Sequence, residues 1–390
     1  MRLDDVRVLD LTRLLPGPYA TQLLADAGAD VVKVEDTGAG DYARHMPPYT
    51  ESGVGTVFDS VNRGKRSVCL DLKAESAREA FYELVADADV VIEQFRPGVV
   101  ERLGVDYETL SEYNPDLVYC SLSGYGQNGP LADKAGHDLN YVGLAGMLDL
   151  SREDEDTAPS PLGYQVGDMA GGLFAAFAVV SALLSRELGG TDGEYLDCSL
   201  TDPVVSFSQT AAAEVFTGDD PRPGETPLTG GYPWYDVYEC RDGGYVTLAA
   251  LEPQFWQGFC EATGRDDLVE YHMTEDEAEL AALREELETL FAERSRDEWV
   301  DVLGDEDAAV DGVYTPKEAL SHPQIEARGY VERPDDAPPR VGFPARGSDI
   351  DHETPATPAP QQGADTDEVL GDAGLGEARI AELREEGVAR

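Results

Sequence analysis

Basic residues are scarce in this chain. Its 390 residues include 29 Lys and Arg against 78 Asp and Glu, so the formal net charge is −49 at pH 7 and the pI is near 4.1. The only lysines are Lys33, Lys65, Lys73, Lys134 and Lys317. A surface this negative repels phosphate backbones and anionic lipids, so we expect neither a nucleic acid nor a membrane partner. An anionic ligand would need a local basic pocket.

The acidic excess does not indicate a disordered chain. Hydrophobic residues make up 42% of the sequence, and the acids are spread through periodic segments, so a core can form. We expect instead a halophilic surface, because the Debye length falls to about 3 Å in 1 M salt. The prediction is a protein of a high-salt cytoplasm that loosens in dilute buffer.

Metal motifs, nucleotide loops and targeting signals are missing as well. The five cysteines form no CxxC pair and have no His at metal-ligand spacing, which predicts reduced thiols and no metal site. No GxxxxGK[ST] loop occurs, which argues against a nucleoside triphosphatase. The first residues, MRLDDVRVLDLT, lack the layout of a signal peptide and are typical of a first strand, so we expect a cytoplasmic location.

One uncharged stretch, Met169 to Ser185, approaches the length of a membrane span. It is rich in Ala and Gly and is followed directly by Arg186 and Glu187. In a chain this acidic, the stretch predicts a buried core helix.

Strands alternate with helices through the first half of the chain. Patterns such as VRVLDLT and ADVVKVED, separated by a helix from Ala20 to Ala27, predict an α/β fold with a doubly wound, Rossmann-like parallel sheet. Ligands then bind at the carboxyl ends of the strands, where Pro16–Pro18, Arg96–Gly98 and Gly124–Gly129 lie. We predict a large domain of residues 1–217 and 330–390, and a smaller α+β domain of residues 218–329 that contains the hairpin WYDVYECRDGGYVTLAAL.

Three glycine-rich motifs carry the candidate chemistry: GYGQNGP at 124–130, AGHDLNY at 135–141 and GDMAGG at 167–172. They present an imidazole, His137, and a carboxylate, Asp168, where the backbone can approach a ligand closely. This pair suits the movement of a proton on and off one carbon atom.

The same residues permit simpler roles. Asp168 stands where an ordinary N-cap would stand, and Asp138 either orients His137, caps nearby backbone or acts as a rival base. Burial would raise the pKa of Asp168, whereas the start of the following helix would lower it, and the sequence does not decide between these effects.

Together the motifs resemble the family III CoA-transferase superfamily, and within it most closely the α-methylacyl-CoA racemases. The resemblance runs from Val6 to about Gly329. Besides the three glycine-rich motifs it rests on LLPGPYATQLLADAGADVVKVE, NRGKRSVCLDLK, EQFRPGVVERLG, GGYPWYDVYECRDGGYV and ALEPQF. It implies an interlocked homodimer in which two ring-like chains thread each other.

The resemblance also implies roles for individual residues. His137 and Asp168 would be two bases on opposite sides of the substrate's α-carbon, and Glu252 would support the site, in cis or from the partner chain. The implied contacts to CoA are Arg63, Lys65, Arg66 and Arg96. The stretch DTGAGD departs from the family pattern, which often has a basic residue there, so Arg44 is a candidate replacement.

Two reactions fit these residues. The leading hypothesis is a racemase or epimerase that inverts the α-carbon of 2-methylacyl-CoA thioesters through an enolate, without a prosthetic group, CoA being part of the substrate. The alternative is a CoA-transferase in which Asp168 is a nucleophile and CoA passes between dicarboxylic acids such as succinate and mesaconate. His137 favours the first reaction. A catalytically inactive CoA-binding protein is a third, weaker hypothesis.

Overall fold

The structure is a computed structural model that describes residues 2–333, 338–345, 347 and 357–390. Its strands are β1 (Arg7–Leu11), β2 (Asp30–Glu35), β3 (Arg66–Cys69), β4 (Val90–Glu93), β5 (Val118–Ser123), β6 (Glu194–Ser199), β7 (Tyr235–Glu239), β8 (Tyr245–Ala249), β9 (Val310–Val313), β10 (Val331–Glu332) and β11 (Arg340–Val341). Its α-helices are α1 (Pro16–Asp26), α2 (Thr56–Val61), α3 (Glu75–Ala86), α4 (Val99–Leu103), α5 (Tyr107–Ser111), α6 (Asp138–Leu144), α7 (Met147–Leu150), α8 (Val166–Glu187), α9 (Asp202–Ser206), α10 (Gln209–Thr217), α11 (Pro253–Thr263), α12 (Glu277–Phe291), α13 (Arg296–Leu303), α14 (Pro316–Ala319), α15 (Pro323–Arg328), α16 (Thr366–Asp372) and α17 (Glu377–Glu385). Short 3₁₀ helices span Tyr42–His45 and Asp266–Tyr271.

The chain divides into two compact units. The first comprises Met1–Ala145, Leu162–Phe207 and Arg328–Arg390, and the second comprises Gly146–Pro161 and Ser208–Ala327. Three segments differ from the predicted domains: residues 146–161 and 208–217 belong to the second unit, and residues 328–329 belong to the first.

A six-stranded sheet in the described residues forms the centre of the first unit, in the order β3-β2-β1-β4-β5-β6 with every pairing parallel. Successive residues of a strand enter opposite cores: Leu9 packs with α3 and the C-terminal helices, whereas Val8 packs with α1 and α8. Both faces are therefore covered, and the predicted doubly wound sheet is confirmed.

Helix α1 begins four residues earlier than predicted. Pro16 occupies its first turn, where a missing N–H costs nothing, so the PGP sequence belongs to the helix rather than to the preceding loop. The loop after β1 is correspondingly short and lies at the carboxyl edge of the sheet.

The long helix α8 packs against α1 through glycines. A side chain at Gly172 would place its Cβ 2.4 Å from the carbonyl oxygen of Pro16, so only glycine permits this approach. The other face of α8 is exposed: Leu173, Phe177 and Leu184 are 47%, 66% and 57% exposed. The predicted core helix is thus buried along one face only. By length and composition, α8 is the one helix of the described residues that could cross a membrane, a test that core helices of soluble proteins also pass.

The second unit is built on the antiparallel sheet β7-β8-β9. Its core contains the buried indoles of Trp234, Trp256 and Trp299. Strands β7 and β8 form the predicted hairpin, and Gly243 in its turn has φ +78°, a conformation that favours glycine.

The C-terminal segment returns to β3. Asp365 exchanges hydrogen bonds with Ser67, and Thr366 Oγ1 accepts one from the N–H of Cys69. From the sequence we predict that the Pro-, Asp- and Thr-rich tail from Arg333 to Asp367 crosses back along the large domain and that a helix follows near Gly376 to Glu386. That helix is α17, and the tail from Arg333 to Asp367 lies partly outside the described residues.

Candidate active site

Asp168 lies in the first turn of α8. Its side chain is half-buried, and its carboxylate has no hydrogen-bond partner or ion pair among the described residues. Burial, followed by the negative charge of Asp138, raises the pKa of Asp168 to about 7. Of the two opposing effects that the sequence left open, burial therefore prevails over the helix start.

Asp138 caps the start of α8 from a neighbouring helix. Its Oδ1 accepts hydrogen bonds from the backbone N–H of Gly167 at 2.7 Å and of Asp168 at 3.1 Å. Of the roles considered for Asp138, capping of nearby backbone is the one the structure shows.

His137 stands immediately before α6, and its backbone N–H donates to Oδ1 of Asn140 at 3.0 Å. Its side chain is exposed. Since Asp138 contacts the first turn of α8, the motifs AGHDLNY and GDMAGG meet at the adjacent starts of α6 and α8.

Tyr141, which sequence reasoning did not assign, packs beside Asp168. Burial and then the negative charge of Asp168 raise the pKa of Tyr141. A Cβ at Gly136 would lie 2.8 Å from both the Tyr125 hydroxyl and the Tyr141 ring, and a Cβ at Gly124 would lie 2.7 Å from the Tyr141 hydroxyl. Tyr125 and Tyr141 lie so close to the backbone that only glycine fits at these two positions.

A hydrogen-bond network joins the GYGQNGP loop to the carboxyl ends of β4, β5 and β6. The Gln127 side chain donates to Oγ of Ser121 at 2.8 Å, Ser121 donates to Glu93, and the Gln127 backbone N–H donates to Asp197 at 3.1 Å. Glu93 also accepts from the N–H of Phe95 at 2.6 Å. Burial raises the pKa of Glu93 to about 7.

A cleft of about 520 Å³ opens where β1, β2 and β3 end. Its basic lining residues are Arg13, directly after β1, and Lys73, after β3; Phe95, after β4, lines it too. Sequence reasoning missed Arg13 and Lys73, although Lys73 ends the motif NRGKRSVCLDLK and Arg13 directly precedes LLPGPYATQLLADAGADVVKVE. Their position just beyond parallel strands, where ligands bind, could have identified them as candidate ligand contacts.

Lys65 is not free to hold a phosphate. Its ammonium is buried and donates to Asp10, Thr21, Asn62 and the carbonyl oxygen of Pro18, at 2.7–3.1 Å. Burial lowers its pKa to about 8, against the attraction of Asp10. The contact to CoA that we predicted for Lys65 is therefore replaced by a structural role beneath α1.

The other predicted cations also have protein partners, with one exception. Arg66 pairs with Asp30 at 2.5 Å, and the candidate Arg44 pairs with Glu35. Arg63 donates to the carbonyl oxygens of Ser60 and Val341 and lines a separate cavity of about 650 Å³. Arg96 is exposed, and its side chain makes no ion pair within the described residues.

Glu252 belongs to the second unit, where it precedes Pro253 at the start of α11 and is exposed. Its predicted supporting role stays a prediction. Within the described ranges, no group of three or more His, Cys, Asp or Glu side chains is arranged to hold a metal ion.

Comparison with known proteins agrees with this architecture. The profile described as "CoA-transferase family III" matches residues 3–366. Succinyl-CoA:mesaconate CoA-transferase of Haloarcula hispanica is 41% identical over 280 residues, which are 68% of each chain. The α-methylacyl-CoA racemase of Mus musculus is 33% identical over 390 residues, covering 98% of this chain and 96% of the mouse protein.

Among solved structures, a CaiB/BaiF family protein from Brucella suis superposes with a TM-score of 0.82 at 31% identity, covering 95% of this chain and 99% of that one. Three findings agree: the parallel sheet has a cleft at its carboxyl edge, a carboxyl group lies at the start of α8, and the similarities extend over most of the chain. The protein belongs to CoA-transferase family III.

Proposed function

We propose that this enzyme transfers CoA between dicarboxylic acids, with succinyl-CoA and mesaconate as the first pair to test. The observation that carries the proposal is Asp168, a half-buried carboxylate that has no hydrogen-bond partner among the described residues and a pKa raised to about 7. The name and 41% identity of the Haloarcula relative support this reaction above the racemase hypothesis that the sequence put first.

The chemistry needs only a carboxylate nucleophile. An oxygen of ionised Asp168 attacks the thioester carbonyl carbon, the C–S bond breaks, and CoA leaves as a thiolate while a mixed anhydride forms. The thiolate then attacks the aspartyl carbonyl carbon, which releases the donor carboxylate and leaves an aspartyl-CoA thioester. The acceptor carboxylate reverses these two steps, so the new acyl-CoA departs and Asp168 is regenerated.

We assign the nucleotide part of CoA to the cleft at the ends of β1, β2 and β3. Arg13 and Lys73 line it, and Arg96 follows the lining residue Phe95. Guanidinium groups bind phosphate through paired hydrogen bonds, and an ammonium adds a point charge. Two acids of this cleft are already neutralised, because Glu35 pairs with Arg44 and Asp41 with Lys33.

We also propose that the enzyme works as a homodimer in a high-salt cytoplasm. The exposed apolar face of α8, with Leu173, Phe177 and Leu184, is unusual on a protein of net charge −49 and supports burial against a second copy. The net charge supports the high-salt setting.

The test is CoA transfer in molar KCl. Succinyl-CoA and mesaconate should yield mesaconyl-CoA, and hydroxylamine should attack the activated Asp168 carbonyl carbon, release CoA and leave the side chain as a hydroxamate. Asp168→Asn should give neither product. Transfer that persists in this variant would refute the role of Asp168, and absence of transfer with any dicarboxylate pair would refute the proposed substrates.

Racemization is the second candidate, because His137 lies at the start of the helix adjacent to α8 and the mouse racemase aligns over 98% of this chain. Incubation with a 2-methylacyl-CoA in D₂O distinguishes the reactions. Deuterium at the α-carbon without CoA exchange, lost in His137→Ala, would favour the racemase.

A further inference from the structure

The first turn of α8 is capped by a carboxylate from another helix. Gln165, its own N-cap residue, makes no side-chain capping bond, whereas Asp138 accepts hydrogen bonds from the N–H groups of Gly167 and Asp168. Free N–H groups at a helix start stabilise a nearby anion. Because Asp138 occupies these two donors, they are not available to the carboxylate of Asp168.

The described elements that pack most extensively against α8, namely α1, β5, α6, β6 and α9, contain no Lys, Arg or His. The exposed His137 stands directly before α6. The titratable groups of these elements that face α8 are Tyr19, Asp26, Cys120, Asp138, Tyr141, Glu194, Asp197, Cys198 and Asp202. Ionised Asp168 therefore experiences repulsion from Asp138 without an opposing charge on these elements.

We propose that Asp138 is a positioning residue with a second, electrostatic role: it fixes the first turn of α8 and keeps the Asp168 carboxylate strongly basic for attack on a thioester. This inference rests on the proposed function of Asp168 as a nucleophile. A carboxylate stabilised by helix amides would be a weaker base and a weaker nucleophile.

The charge of Asp138 also favours the covalent step. When Asp168 attacks the thioester, its negative charge disappears from the side chain and reappears on the departing CoA sulfur. Repulsion between Asp138 and Asp168 is relieved as the mixed anhydride forms. The capping carboxylate thus raises the energy of the resting nucleophile more than that of the acylated one.

The decisive variant is Asp138→Asn, because an amide oxygen can still accept from Gly167 and Asp168 but carries no charge. In protein labelled with [4-¹³C]aspartate and kept in molar KCl, the Asp168 carboxyl signal is assigned by its loss in Asp168→Asn and followed through a pH titration. In Asp138→Asn the titration midpoint should move to lower pH by roughly one unit. The acid limb of kcat/KM should move in the same direction, and kcat at high pH should fall.

The matched control is Asp133→Asn, which removes an exposed charge from the connection that precedes α6, five residues before Asp138. Its midpoint should stay at the wild-type value. Asp138→Ala, which loses cap and charge together, should also lower the melting temperature, whereas Asp138→Asn should largely retain it. A midpoint in Asp138→Asn equal to that in Asp133→Asn would overturn the inference.

The two proposals fail in different ways. A shifted midpoint without any hydroxylamine-trapped adduct would refute covalent catalysis by Asp168 and leave the electrostatic effect of Asp138 intact. A trapped adduct with an unshifted midpoint would refute only the role assigned to Asp138.

Discussion

Replacement of Asp168 by Asn should stabilise the folded protein, and the gain should depend on pH. The physical reason is that the folded state holds the Asp168 carboxyl where ionisation is unfavourable: its pKa rises from 3.8 to about 7. A group whose pKa is higher in the folded state destabilises that state once it is ionised. The destabilisation is absent below the unfolded pKa, grows as the pH rises, and is complete above the folded pKa.

The pKa shift of Asp168 sets the size of the expected gain in stability. A rise of about three pKa units corresponds to about 4 kcal/mol as an upper limit. Asp168 is half-buried and keeps some access to water, so we expect about 2–4 kcal/mol. Relative to wild type, Asp168→Asn should gain little near pH 4 and approach the full gain near pH 8, in the window set by these two pKa values.

The assay is denaturant unfolding in molar KCl at several pH values, comparing wild type, Asp168→Asn and the control Asp133→Asn. All other carboxylates are shared, so the difference between curves isolates one position. The difference should grow with pH for Asp168→Asn and stay flat for Asp133→Asn. A gain that is independent of pH would show that burial does not raise the pKa of Asp168, and the argument for its basicity would fail.

Three further outcomes follow from the structure. Arg13→Ala and Lys73→Ala should each raise the KM for the CoA thioester about tenfold, with a smaller change in kcat, because each removes a charge-assisted hydrogen bond to phosphate. The control is Lys317→Ala, which removes an exposed lysine of the second unit. An unchanged KM in both cleft variants would show that the cleft does not bind the nucleotide. Gly136→Ala should lower the free energy of unfolding by about 1–3 kcal/mol in denaturant titration, since its Cβ would lie 2.8 Å from two tyrosine side chains. Gly163→Ala, whose Cβ meets no atom within 4 Å, should be tolerated, and an equal loss of stability in both variants would contradict the packing around Gly136. The melting temperature should rise steeply between 0.1 M and 1 M KCl, where the Debye length falls from about 10 Å to about 3 Å; a flat profile would contradict a halophilic surface.

Local signals were sufficient for much of the fold. Hydrophobic strands that alternate with helices predicted the parallel sheet, because side chains buried on both faces leave an apolar pattern in the sequence. The Asp-Gly-Gly sequence predicted the hairpin turn, since Gly243 adopts a positive φ. The start of α1 was misplaced because PGP is compatible both with a loop and with a first helical turn.

Predictions about charged partners were less successful. Lys65 was predicted to contact CoA from its place in a basic motif, but its ammonium meets Asp10, 55 residues earlier in the chain. Arg66 likewise meets Asp30 across two neighbouring strands. Such partners become visible only when distant segments are brought together, so a basic cluster in the sequence does not identify which cations remain available to a ligand.

The order of residues was enough to specify the layered α/β architecture, the family and the motifs that present His137 and Asp168, because these depend on periodicity and on glycines at fixed spacing. The raised pKa of the Asp168 carboxyl was decided by tertiary structure alone. Its chemistry depends on burial and on Asp138, 30 residues away, which occupies the amides at the start of α8. Desolvation and Coulomb repulsion act through space, and no local pattern in the sequence records which groups will face each other.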